Sequence, residues 1–253
     1  MSRRPLWSYV QARLQARHGE RLTEGDWRAL EAARSLDHFI DRSRATSLQR
    51  FTERLNAGMS SHAIERALRA GWRAYVAEVA AWCTPEWQAA ILWCAPLPDL
   101  PILDALLRGE VPDWVRQDTM LAAFTERSRD ATANKPPLNA LLPGAAREAT
   151  LAERWYVQWR ALWPRRARDR RALMGLGEAV KGHIARLDLA GPQDASAAYR
   201  RALAQGATRM FRRHGGSPVA VFCHLALVAL DLERLRGGLA RRALFVPAKE
   251  EAA

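Results

Sequence analysis

The sequence predicts an all-α fold, built as an array of short antiparallel helices in two to three similar helical units that could form a funnel. Apolar residues recur at the spacing of one helix face, for example at Trp7, Val10 and Leu14. No stretch alternates apolar and polar residues for more than a few positions. Alanine, leucine and arginine, which favour helices, dominate over the β-branched residues that strands prefer.

Start and stop signals divide the chain into about ten helices. Thr23 precedes acidic residues that suit the first turn of a helix. Thr84 and Ser217 each stand directly before a proline, which is typical of a helix start, and the second pair opens the longest apolar helix. Gly109 ends the helix before it, and Pro164 ends a helix rich in tryptophan.

A proline-rich connection over residues 133–147 divides the chain. It separates one or more N-terminal helical units, residues 1–132, from one or more C-terminal units, residues 148–253. We expect both parts to pack as one compact body, because short connections between antiparallel helices bring neighbours together.

The charge balance is the most unusual feature of the composition. Of 253 residues, 39 are Lys or Arg and 27 are Asp or Glu, which gives a formal net charge of +12, and only three of the basic residues are lysines. This charge suggests an anionic partner, which could be nucleic acid, a membrane surface or an acidic protein. The apolar content argues against disorder, and three widely spaced cysteines argue against a disulfide scaffold. Without an apolar run of 18 residues or a secretory signal, the chain is expected to be cytoplasmic.

Motifs for catalysis and for cofactors are missing from the sequence. It contains no glycine-rich phosphate loop, no GxGxxG fingerprint and no Gly-x-Ser-x-Gly elbow. His214, Cys223 and His224 make a poor metal site, because adjacent residues on a helix point about 100° apart. Gly175 and Gly177 lie inside a helical pattern, where we expect a loosened helix or close helix packing. We therefore expect no catalytic residue, no cofactor and no metal.

Arginines are concentrated after Pro164, near residue 210 and near residue 240. Basic clusters beside aromatic residues can bind nucleic acid through phosphate contacts and stacking. They can also contact an acidic protein or a membrane surface, or form a solvated helix face. No helix-turn-helix or zinc finger is present, and we expect Trp82, Trp87 and Trp93 to pack in the core or between helices. The candidate partner contacts are Arg165, Arg166, Arg168, Arg170, Arg171, Arg212, Arg213, Arg234 and Arg236.

The C-terminal segment carries a resemblance to a known family. Its apolar helix leads into Asp231, Leu235 and Arg236, and a basic stretch then closes at Pro247. This order and spacing resemble the last helix of the C/d subunit family of the V-type and A-type rotary ATPases. That family has an acid-hydrophobic-x-Asn-hydrophobic-Arg element here, and Arg234 stands where it usually has asparagine.

Two further segments resemble the same family in the same order along the chain. Tyr9 and Arg13 fit its opening Tyr-x-x-Ala-Arg, and Arg108 with Gly109 fits a helix end that reads Leu-Arg-Gly. Family members are usually longer and are built from three similar helical units. The chain therefore resembles a short and divergent member of the family.

The resemblance implies a non-catalytic coupling subunit that docks the central stalk onto the membrane rotor ring. Such a protein serves ATP-driven ion transport, including proton transport, or ATP synthesis. Its partners would be rotor-ring and central-stalk subunits, with no small-molecule substrate, and it would lie peripherally on the cytoplasmic face of the membrane. The alternative that the residues themselves leave open is a basic helical nucleic-acid-binding protein.

Overall fold

The computed structural model describes residues 4–129, 138–142, 149–165, 169–187 and 193–244. These residues contain helices and no β-strand, so the predicted all-α fold is confirmed. The α-helices are α1 (Arg4–Gly19), α2 (Glu24–Glu31), α3 (Leu36–Arg44), α4 (Gln49–Thr52), α5 (Ser61–Trp82), α6 (Pro85–Leu92), α7 (Leu100–Leu107), α8 (Thr119–Arg129), α9 (Leu151–Ala161), α10 (Arg170–Leu187), α11 (Gln193–Arg213) and α12 (Pro218–Leu244). Short 3-10 helices span Leu97–Asp99, Asp113–Gln117 and Leu138–Leu141.

Several helix ends lie where the sequence predicts them. The Thr23 hydroxyl accepts a hydrogen bond from the Asp26 backbone N–H at 3.2 Å, and the Asp26 carboxylate accepts one from the Thr23 N–H at 2.8 Å. This reciprocal pair satisfies two backbone donors at the start of α2. Gly109 follows α7 with φ of +90°, a left-handed conformation that glycine adopts without strain. Thr84 precedes α6 as predicted, but its side chain makes no capping hydrogen bond.

The longest helix, α12, forms the centre of the fold. It begins after Ser217 as predicted, and all of its residues from 219 to 228 are buried. It packs against α1, α3 and α5 from the N-terminal part of the chain and against α10 and α11 from the C-terminal part. A helix that is apolar on every face must be enclosed. The helices around α12 therefore share one hydrophobic core.

The predicted connection over 133–147 lies mostly outside the described residues. Within it, residues 138–141 form a 3-10 helix, and Leu138 and Leu141 are buried in the core. The part that is described is thus packed rather than extended into solvent. The boundaries of the two parts, the similarity among helical units and the funnel shape stay predictions.

Aromatic side chains join α9 to its neighbours, and Trp93 packs between helices as predicted. The indole N–H of Trp93 donates to the Trp155 carbonyl at 3.0 Å, and the indole N–H of Trp155 donates to the Trp93 carbonyl at 2.9 Å. Trp155 also stacks on Trp159, with ring centroids 5.6 Å apart. Gly177 of α10 lies against this layer, and a Cβ there would stand 2.3 Å from Cε2 of Tyr156. The predicted close helix packing is therefore found at Gly177.

One apolar stretch, Pro85–Leu107, is long and apolar enough by composition to cross a membrane. It is not one continuous helix, because it consists of α6, a 3-10 helix and α7. Half of the most apolar 18-residue stretch within it is buried inside the protein. Asp99 within it is buried beside two arginines, with Oδ1 3.0 Å from Arg69 Nε and Oδ2 3.3 Å from Arg73 Nη1. These features are those of a core segment in a helical protein.

Candidate functional site

Two residues of the C-terminal motif face the interior of the protein. Arg21 binds Asp231 with both ends of its guanidinium group, Nε to Oδ2 at 2.7 Å and Nη2 to Oδ1 at 2.9 Å. Burial raises the pKa of Asp231, and the hydrogen bonds from Arg21 oppose that rise. Leu235 is completely buried. Both residues therefore fix α12 to the rest of the protein.

Arg234, predicted as a partner contact, forms ion pairs within the protein. Its Nε lies 2.7 Å from Glu31 Oε1, its Nη2 lies 3.1 Å from Glu31 Oε2, and its Nη1 lies 2.9 Å from Glu24 Oε1. The guanidinium group also lies over the Trp27 ring, 4.7 Å from the centroid. The hydrogen bonds from Arg234 lower the pKa of Glu31, although burial opposes this. Arg234 therefore joins α12 to α2 and is not a free cation.

Arg236, the other predicted contact on α12, is engaged in the same way. Its Nη2 lies 2.7 Å from Glu65 Oε2, an ion pair that joins α12 to α5.

At the N-terminal motif, Arg13 lies over the rings of Tyr9 and Trp82, with centroid distances of 5.3 and 4.8 Å. Of these motif residues, Tyr9 is the one that presents a large apolar surface to solvent.

Arg108 lies at the exposed end of α7. It forms ion pairs with Asp104 and with Glu110, the latter at 3.0 Å between Nε and Oε1. Its charge is thus balanced by neighbours along the chain, and Gly109 allows the turn that follows. Three predicted residues lie outside the described part of the chain, namely Arg166, Arg168 and Pro247.

Arginines from two distant segments come together at one end of the protein. His214, just after α11, places Nδ1 3.9 Å from Oδ1 of Asp169, just before α10. The two helices are therefore antiparallel neighbours, and the arginines that begin α10 lie beside those that end α11. We define the basic end as the exposed residues Arg165, Arg170, Arg171, Arg212 and Arg213.

The basic end carries more positive than negative charge, because it holds five exposed arginines and the carboxylate of Asp169. Arg170 donates to the carbonyl of Arg165 at 3.2 Å and lies over the Trp163 ring, but none of the five guanidinium groups forms an ion pair with a described carboxylate. The positive field reaches neighbouring groups. Burial and the charges of Arg21 and Arg212 lower the pKa of His18. A surface of this kind attracts anions.

The three cysteines and His224 are buried in the core. The three cysteines are unpaired, and burial raises the pKa of each thiol, so that the reactive thiolate form is disfavoured at neutral pH. His224 Nε2 is hydrogen-bonded to the Tyr75 hydroxyl at 2.7 Å. Within the described ranges, no group of three or more His, Cys, Asp and Glu side chains could hold a metal ion.

The chain matches no protein-family model, no curated protein and no solved structure. The resemblance to the C/d subunit family therefore stays a prediction that depends on the motif residues. Sequence reasoning missed Arg21, Glu24, Glu31 and Glu65 as the internal partners of that motif. These residues lie 171 to 210 positions from their partners, and no local pattern marks them.

Proposed function

We propose that this protein is a non-catalytic coupling subunit of a V-type or A-type rotary ATPase. In this role it docks the central stalk onto the membrane rotor ring, for ATP-driven ion transport or ATP synthesis. The observation that carries the proposal is the grouping of exposed arginines without a described ion-pair partner at one end of the protein. Arg21, Arg234 and Arg236 are neutralised by the chain's own carboxylates, whereas the basic end has no such partner among the described residues.

The chemistry of the basic end suits a docking surface. A guanidinium group can bind a carboxylate through two parallel hydrogen bonds, which gives both affinity and orientation. Near a membrane, each arginine also gains about 1 kcal/mol from anionic lipid headgroups. A protein that lies on the rotor ring would meet both kinds of anion. The basic end thus supports a position between an acidic protein partner and the membrane surface.

The contacts between the two ends of the chain also support this role. The Arg21–Asp231 pair joins the segment after α1 to α12, and Gln11 Oε1 accepts a hydrogen bond from the Gly216 backbone N–H at 2.8 Å. The N-terminal and C-terminal segments that resemble the C/d subunit family are therefore neighbours in space. A protein that passes force from one partner to another needs a rigid body, and these contacts fix α1 and α12 together.

Co-purification of charge variants tests the proposal. The full chain is tagged, expressed in its native cells and recovered from membranes in mild detergent, and rotor and stalk subunits are identified by mass spectrometry. The basic-end variant replaces four arginines with glutamine: Arg170, Arg171, Arg212 and Arg213. The control variant makes the same change of charge at four exposed arginines elsewhere: Arg34, Arg42, Arg54 and Arg116.

We expect the wild type and the control variant to recover rotor-ring and central-stalk subunits and the basic-end variant to recover far less. Circular dichroism establishes that all three chains are folded. Recovery of no rotor or stalk component by the wild type would contradict the proposal. Equal recovery by the two variants would show that the basic end is not the docking surface.

Nucleic-acid binding is the second candidate, and the position of Arg170 over the Trp163 ring at the basic end favours it. Arginine beside an aromatic ring can bind phosphate and stack on a base. If this candidate is correct, log K falls steeply with log salt, with a slope of about −0.9 for each phosphate contact. The coupling role predicts no such binding at physiological salt, so one salt titration separates the two candidates.

A further inference from the structure

The positive charge of the chain is concentrated in its C-terminal half. Residues 133–253 contain 21 Lys and Arg against 10 Asp and Glu, whereas residues 1–132 contain 18 against 17. Charge asymmetry between the halves of a chain is typical of proteins that bind nucleic acid or a membrane. Because Arg234 and Arg236 of α12 are paired inside the protein, the surface charge of this half lies mainly on α9, α10 and α11.

Helix α10 packs between α9 and α11, and the inner sides of all three helices are buried. Trp159 of α9 contacts Phe222 of α12, with ring centroids 4.9 Å apart, and α10 and α11 also pack on α12. We define the outer face as the exposed residues of α9, α10 and α11. It includes the arginines of the basic end that lie on α10 and α11, and it extends beyond them.

Helix α11 carries a row of arginines along the outer face. Arg201, Arg209 and Arg212 lie within about 80° of one another around the helix and span about 16 Å along it. All three are exposed, and none forms an ion pair with a described carboxylate. Of the described carboxylates on these helices, Glu153 caps α9 and Glu178 lies 2.7 Å from Lys181 Nζ. The row therefore keeps its positive charge.

Large apolar side chains are exposed between these arginines. Val157 on α9 is 64% exposed, Met174 on α10 is 41% exposed and Tyr199 on α11 is 44% exposed. Met174 lies one turn from Arg170, and the Arg186 guanidinium group lies 4.1 Å from the centroid of the Tyr199 ring. The outer face thus combines free cations with apolar groups that nothing in the described structure covers.

This combination distinguishes between the anionic partners. A nucleic acid would neutralise the arginines but would give Val157 and Met174 no hydrocarbon to contact. The surface of an anionic bilayer gives both, because arginine binds its headgroups and apolar side chains enter the boundary with the acyl chains. Tyrosine is favoured at the same depth, since its ring is apolar and its hydroxyl stays hydrated.

We propose that the outer face binds the surface of a bilayer that contains anionic lipids. The arginines of α10 and α11 contact the phosphate headgroups, and Val157, Met174 and Tyr199 enter the boundary below them. This binding is a property of the chain alone and does not require the coupling role. If the chain has that role, the outer face is the side that is turned towards the membrane.

Co-sedimentation of the purified full chain with vesicles tests the proposal. Vesicles of phosphatidylcholine are compared with vesicles of equal parts phosphatidylcholine and phosphatidylglycerol, in about 0.1 M and about 0.5 M NaCl. We expect binding to the anionic vesicles at the lower salt concentration, with at least about tenfold weaker binding to phosphatidylcholine and a marked loss at the higher salt concentration, because salt screens the charges. Equal binding to both kinds of vesicle would overturn the proposal. Retention by mixed-sequence RNA without binding to anionic vesicles would assign the face to nucleic acid instead.

Charge variants locate the binding. Each arginine at the headgroups contributes about fivefold to affinity, so loss of three should weaken binding by about 100-fold. The test variant replaces three arginines of the outer face outside the basic end with glutamine: Arg160, Arg201 and Arg209. The control makes the same change at three exposed arginines of the N-terminal half: Arg34, Arg42 and Arg54. Circular dichroism checks folding, and equal losses in the two variants would overturn the assignment to the outer face.

A fluorescent label tests whether the apolar groups enter the bilayer. The three native cysteines are buried, so Met174→Cys provides one reactive thiol for an environment-sensitive dye. We expect its emission to shift to the blue when anionic vesicles are added, whereas a dye on Ala45→Cys, exposed in the N-terminal half, should not shift. The same response at both positions would overturn the proposed orientation. Since these assays contain no ATPase subunit, a negative result would not contradict the coupling role, and failed co-purification would not contradict lipid binding.

Discussion

We expect the buried histidine of α12 to make the protein less stable in acid. His224 is completely buried, and its Nε2 is hydrogen-bonded to the Tyr75 hydroxyl. Burial, and then the nearby charges of Arg21, His18 and Arg50, lowers the pKa of His224 from 6.5 to about 3. A histidine in the unfolded chain takes up a proton below pH 6.5, whereas the folded chain does not take it up until about pH 3. The contribution of this group to stability is therefore present above pH 6.5 and is lost as the pH falls.

The two pKa values set the size of the effect. Proton uptake by His224 in the unfolded state lowers the free energy of unfolding by about 2 kcal/mol between pH 7 and pH 5. For a domain of this size, that corresponds to a decrease of about 4–8 °C in Tm. Replacement of His224 with glutamine removes the titrating group and keeps a polar side chain that can bond to Tyr75.

The assay is chemical denaturation of the wild type and His224→Gln at pH 7, 6 and 5. All other titrating groups are common to both proteins, so the difference between their pH profiles isolates His224. We expect the wild type to lose about 2 kcal/mol more than the variant between pH 7 and pH 5. His38→Gln, exposed on α3, is the control and should follow the wild-type profile. Parallel profiles for the wild type and His224→Gln would refute the reasoning.

Three further predictions about contacts in the fold can be tested by chemical denaturation. Gly177→Ala should destabilise the protein by about 1–3 kcal/mol, because its Cβ meets the aromatic rings of α9, whereas Gly175→Ala on the same helix meets open space and should stabilise it by up to about 1 kcal/mol. A double-mutant cycle with Arg21→Leu and Asp231→Leu should give a coupling energy of about 1–3 kcal/mol, and additive losses would show that the pair is not coupled. Arg234→Lys should lose about 1 kcal/mol, because an ammonium group cannot reproduce the paired hydrogen bonds, and wild-type stability would contradict the bidentate geometry.

Local signals in the sequence predicted much of the fold. Thr23 and Gly109 mark helix ends because capping and left-handed turns depend on the residues next to them. The apolar run after Pro218 predicted a long apolar helix, and the structure encloses it because a segment without a polar face has to be shielded from water. The all-α class follows from periodicity that extends along most of the chain.

The site depends on contacts that local patterns do not encode. Arg234 looks the same in the sequence whether it faces solvent or Glu31, since its partner lies 203 residues away. The basic end could have been predicted from the sequence, because two antiparallel neighbouring helices place the start of α10 beside the end of α11. The missing step was to pair those two helices, which depends on the packing of both against α12.

The presence of this chain in an isolated rotary ATPase tests the central claim most directly. The complex is purified from native membranes through a tag on a rotor-ring or stalk component, and the chain is quantified by mass spectrometry against the subunits that co-purify. The coupling role predicts that the chain is recovered in a constant molar ratio to the stalk subunits through every purification step. Its loss from the complex, or its absence at the first step, would contradict that role.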